Sequence, residues 1–60
     1  MKKLKRARLS KGLRLREVAE KLSIAPQTVQ QQEQRGVRTV RVAKLYAVAL
    51  GCKPEDLLEF

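Results

Sequence analysis

Residues 15–34 read LREVAEKLSIAPQTVQQQEQ, and the spacing of their apolar positions decides the fold. Leu15, Val18, Ala19 and Leu22 fall at i, i+3, i+4 and i+7, one apolar stripe along a helix. Arg16, Glu17, Glu20 and Lys21 lie off that stripe, and Glu17 precedes Lys21 by one turn, the favourable order for an ion pair. Ser23-Ile24-Ala25 then breaks the pattern. Pro26 suits the first turn of a new helix, where the N–H it lacks has no partner to lose. The stretch predicts two short helices, 15–22 and 26–34, joined by a three-residue turn with a buried Ile24: a helix-turn-helix outline. Any small helical bundle has such corners, so the outline alone fixes no function.

Working outward, Gly12, Gly36, Gly51, Pro26 and Pro54 cut the chain into five predicted segments, about 2–11, 15–22, 26–34, 40–50 and 54–58. Two aromatics and few alternating patterns argue against strands, so the predicted class is all-α, a compact bundle of five short helices. No repeat or linker divides the chain, and residues 1–60 read as a single domain. The segment 40–50 is apolar nearly all round. Val42, Ala43, Tyr46, Ala47 and Leu50 suit the core, while Leu45 and Val48 lie off that stripe and offer a second partner surface. Gly51 ends the segment, and Glu55 and Asp56 sit near the start of the last one, as a helix dipole favours. Leu57, Leu58 and Phe60 either close the core or form a homodimer patch.

Sixty residues bury only about 60% of their unfolded surface, so the core is marginal. With one cysteine and no histidine, the chain has no internal disulfide, and a Cys/His metal site would have to be shared between chains. Cys52 reads as a small apolar filler, at home in a reducing compartment. MKKLKRARL has the charge of a signal-peptide start, but no apolar core segment follows it. No stretch approaches the ~20 apolar residues of a membrane span. The chain is expected in the cytoplasm. Fourteen Lys and Arg stand against six Asp and Glu, a net charge of +8. Residues 1–16 hold Lys2, Lys3, Lys5, Arg6, Arg8, Lys11, Arg14 and Arg16 and no acid, which favours a polyanionic partner over a merely solubilising face.

The segment 26–34 carries the chemistry. At ~100° per residue Val29 faces the core, Gln32 and Glu33 flank it, and Gln27, Gln31 and Gln34 gather on the opposite side. A glutamine amide presents a donor beside an acceptor, matching the N6 and N7 edge of adenine in the major groove. On a neutral protein the same face would be read as solvated surface; the basic body favours readout. Arg8 shares a face with Leu4 and Ala7 and so points inward, where an unpaired guanidinium would be very costly. Glu33 is the carboxylate placed to receive it, which predicts an Arg8–Glu33 salt bridge tying the first helix to the third, of more value for orientation than for stability.

With these pieces in order, the chain resembles the Cro/C1-type (lambda-repressor-like) helix-turn-helix family of phage and bacterial repressors. LKRARLSKGL at 4–13 is similar to the family's first helix and its Gly-Leu exit, and EVAEKL at 17–22 to the first motif helix. IAPQTVQQQE at 24–33 resembles the recognition helix; AVALG at 47–51 with EDLL at 55–58 resembles the closing segment. The resemblance implies base reading by Gln27, Thr28 and Gln31. It implies phosphate binding by Arg14 and Arg16 at the start of the first motif helix, and by Gln34, Arg35, Arg38 and Arg41 after the recognition helix. Some members carry an Arg–Glu bridge at the positions of Arg8 and Glu33. The chain departs from the pattern in four places. Arg14 stands at a usual Thr or Asn cap, Leu15 at a common phosphate-binding Gln, Ser23 at the usual turn Gly, and Gln32 at a usually apolar position. The departures imply low stability, or a partner over Gln32.

Together these readings predict a repressor-type transcriptional regulator that binds double-stranded DNA as a homodimer. No catalytic role, cofactor, metal, small-molecule ligand or membrane is expected. One alternative is an antitoxin or controller-type module whose main partner is another protein. The other is a cationic peptide for RNA or membrane surfaces, disfavoured because residues 1–16 have few large apolar side chains.

Overall fold

The structure, a computed structural model, describes residues 1–59. It has four α-helices: α1 (Lys3–Ser10), α2 (Leu15–Leu22), α3 (Pro26–Arg35) and α4 (Val40–Leu50). The expected fifth helix over 54–58 is a single 3-10 turn, Pro54–Asp56. Leu57 and Leu58 are both buried, and the chain beyond the turn runs extended beside the segment that follows α3. Glu59 N–H donates to Val37 C=O at 2.7 Å, and Val37 and Leu58 form a parallel bridge. The reason is accounting: Val37 is fully buried outside any helix, so its carbonyl needs a partner that an extended tail supplies and a helix would not. The expectation for Phe60 falls outside the described residues.

The α2 stripe packs as its periodicity requires. Val18 and Ala19 are fully buried, Leu15 and Leu22 half-buried, and α2 and α3 are the most closely packed pair of helices. The side chains of Val29, Leu4, Val37, Ala43, Tyr46, Leu50 and Leu57 fill the space that α2 closes. Val42, expected in the core, only flanks it, and Ala49 is buried in its place. On a helix that is apolar nearly all round, pattern does not say which way it turns; packing against α1, α2 and the tail does.

Helix ends are closed by unlike means. The side chain of Thr39 accepts Val42 N–H at 3.3 Å, an ordinary N-cap for α4. Arg14, at the N-cap of α2, has no side-chain acceptor; instead Glu17 Oε1 accepts the Arg14 N–H at 2.9 Å, half of a capping box. The Lys2 side chain likewise offers α1 no acceptor, and Glu59 Oε2 reaches across from the tail to accept Lys3 N–H at 2.7 Å. A carboxylate there also suits the positive end of the helix dipole. Ser23 ends α2 with φ 57° and ψ 43°, a left-handed conformation in a residue with a Cβ. It lets Ile24 N–H return to Ala19 C=O at 3.0 Å, so the chain turns sharply into α3.

Candidate nucleic-acid interface

Pro26 opens α3 after an extended Ala25, and the helix runs to Arg35 with Val29 and Glu33 buried. That orientation leaves Gln27, Thr28, Gln30, Gln31 and Gln34 exposed. Gln27 and Gln31 lie within about 40° of each other around the axis and one turn apart along it. Among the described residues, no intramolecular hydrogen bond engages these four amides or the Thr28 hydroxyl. Their donors and acceptors all face outward.

Gln32 behaves differently. Half-buried, it donates from Nε2 to Gly36 C=O at 2.8 Å, and its backbone C=O accepts Gly36 N–H at 2.8 Å. A partner over Gln32 is therefore not required, because its amide is taken up by the end of its own helix. Gly36 has φ 87°, and a Cβ there would come within 3.1 Å of Glu59 Cγ, so glycine is needed twice over.

α3 is held to α1 through charge. Arg8 Nε donates to Glu33 Oε2 at 2.5 Å and Nη2 to Oε1 at 3.3 Å, while Nη1 donates to Leu13 C=O at 2.9 Å. Arg8 is 8% exposed and Glu33 6%. Three elements thus meet at one guanidinium: α1, α3 and the loop that leads into α2. The Tyr46 phenol is raised above its ordinary value, first by burial and then by the charge of Glu33. The Cys52 thiol is also raised, by burial and then by Asp56, against an opposing pull from Lys11. Both stay protonated at neutral pH.

The residues expected at phosphates are all exposed: Arg14, Arg16, Gln34, Arg35, Arg38 and Arg41. Arg14 and Arg16 line one open groove with Gly12, Glu17 and Pro26, where the starts of α2 and α3 approach. Gln34 lines a second, smaller groove with Lys5 and Gln30. Arg35, Arg38 and Arg41 line neither; they follow one another along the end of α3, its connection and the first turn of α4. The outward α3 face therefore has guanidinium groups near both of its ends. Gln30 had no part in the sequence-based expectations, and Lys5 entered them only as one of the basic side chains of residues 1–16. The signal for Gln30 was its place one turn from Gln27; for Lys5, one turn before Arg8 on the same helix.

A family model described as helix-turn-helix matches residues 4–57. The chain belongs to the Cro/C1-type helix-turn-helix family. No curated protein and no solved structure matches it. As a Cro/C1-type helix-turn-helix the chain carries a DNA-binding motif, with α2 and α3 as the motif's two helices. Among the described residues of this Cro/C1-type chain, no helix is long and apolar enough to cross a membrane.

Proposed function

We propose that the chain is a sequence-specific, repressor-type transcriptional regulator that places α3 in the major groove of double-stranded DNA. The observation that carries this reading is the row of unengaged amides on α3, set in a body of net charge +8. Gln27, Thr28 and Gln31 read base edges. Arg14, Arg16, Gln34, Arg35, Arg38 and Arg41 hold phosphates and supply affinity without sequence preference. The Arg8–Glu33 pair fixes the angle at which α3 is presented.

The working unit is a homodimer, its two α3 helices entering successive major grooves about 34–36 Å apart on a pseudo-palindromic site. Val48 is 85% exposed, Val40 54% and Leu45 50%, apolar surface on α4 that a second copy covers. The same surface supports the rival reading, a module held mainly by a different protein; a heterologous protein co-purifying at fixed stoichiometry would favour it. The residues act as one domain in the cytoplasm, with no catalytic role, cofactor or small-molecule ligand.

Selection of bound duplexes from a random pool is the test, followed by two variants. Gln31→Ala relaxes preference at one base position, a loss of about 1–3 kcal/mol in discrimination. Arg14→Ala weakens selected and random duplexes alike. Equal losses on both duplexes from both variants would overturn the division between reading and anchoring.

A further inference from the structure

The seam between α1 and α3 holds a groove of about 130 Å³ lined by Lys5, Arg8, Leu15, Gln30, Glu33 and Gln34. Arg8 and Glu33 neutralise each other there, and the third Arg8 bond goes to Leu13 C=O. The groove's charge is therefore that of Lys5. Gln30 and Gln34 lie one turn apart on α3, exposed, and among the described residues no intramolecular bond engages their amides. An ammonium with three donors thus lines the same groove as two amides with two donors each, the recognition chemistry of an anionic oxygen. This groove also shares Arg8 and Leu15 with the one that Arg14 and Arg16 line, so the two adjoin past the start of α2. In the larger groove the Glu17 carboxylate accepts the Arg14 N–H.

We propose that α1 is part of the DNA interface: Lys5, with Gln30 and Gln34, holds a backbone phosphate beside the one held at Arg14 and Arg16. The proposal rests on the DNA-binding reading above. It makes Gln30 a backbone ligand, unlike Gln27 and Gln31, and places one further charge contact on the flank of α3.

Salt titrations of the 60-residue chain test it, on the selected duplex and on a random-sequence duplex. Lys5→Gln makes the slope of log K against log salt shallower by about 0.9 per bound protomer, equally on both duplexes. Lys5→Arg keeps the wild-type slope. Lys53→Gln, at an exposed lysine that lines neither groove, keeps it too. Gln30→Ala weakens both duplexes by about 3–10-fold with no change of slope. Lys5 is exposed, so Lys5→Gln should melt with the wild type and the slope is read on folded protein. A wild-type slope for Lys5→Gln, or an equal reduction for Lys53→Gln, overturns the proposal. Should the wild-type chain bind neither duplex, it is the DNA-binding reading that falls.

Discussion

At the scale of single residues, two side chains carry costs that their surroundings explain. Ser23 holds φ 57°, where its Cβ crowds the following carbonyl at a cost of about 1–2 kcal/mol. Glycine removes that cost but loses more freedom on folding, so Ser23→Gly should stabilise by about 0.5–1 kcal/mol, a rise of a few degrees in thermal melting. Arg8 and Glu33 are the opposite case, a buried pair in which each charge has the other as its counter-ion. Arg8→Ala leaves Glu33 buried and unpaired and should cost about 3–5 kcal/mol in urea unfolding. Replacing both, Arg8→Met with Glu33→Leu, should recover most of that loss. A double variant as unstable as the single one would mean that packing, not charge, is what Arg8 contributes.

At the scale of elements, α2 shows stability and binding in competition at one position. Its N-cap is Arg14, whose side chain has no acceptor for the free N–H groups of the first turn. Arg14→Ser completes the capping box with Glu17 and should add about 1 kcal/mol of stability. The same change removes a proposed phosphate contact, so melting temperature rises while affinity for every duplex falls. Equal affinity with higher stability would take Arg14 out of the interface. The bounds of α2 and the start of α3 were legible because they have local causes: an apolar stripe, a turn at 23–25, and Pro26; α3 ends at Arg35, one residue past the expected 34. The outward set on α3 was legible too, since burial of Val29 dictates the rest by helical geometry. Gln32 was not, because its partner, Gly36 C=O, exists only once the helix has ended where it does.

At the scale of the whole molecule, the tail after α4 closes the structure. Glu59 caps α1, bonds to Val37 and packs on Gly36, so the end of α3 and the start of α1 share one residue. The apolar face of α4 is the other property of the whole. Val48→Asp should halve the mass seen by equilibrium sedimentation and leave the circular dichroism spectrum intact, since Val48 is 85% exposed and outside the core. A wild-type chain that sediments as a monomer at every concentration, on and off DNA, removes the dimer from the account.

The amino-acid order by itself determined the helical class, the motif at 15–34, the outward amides and the meeting of Arg8 with Glu33. Each follows from interactions within a few residues, or from a buried charge with few partners to choose from. Tertiary structure alone decided that the last segment is a 3-10 turn with an extended tail, that Val42 lies at the edge of the core, and that Lys5 stands beside Gln30. Those outcomes depend on contacts between residues far apart in the chain, whose bonds come into being only when the helices have packed.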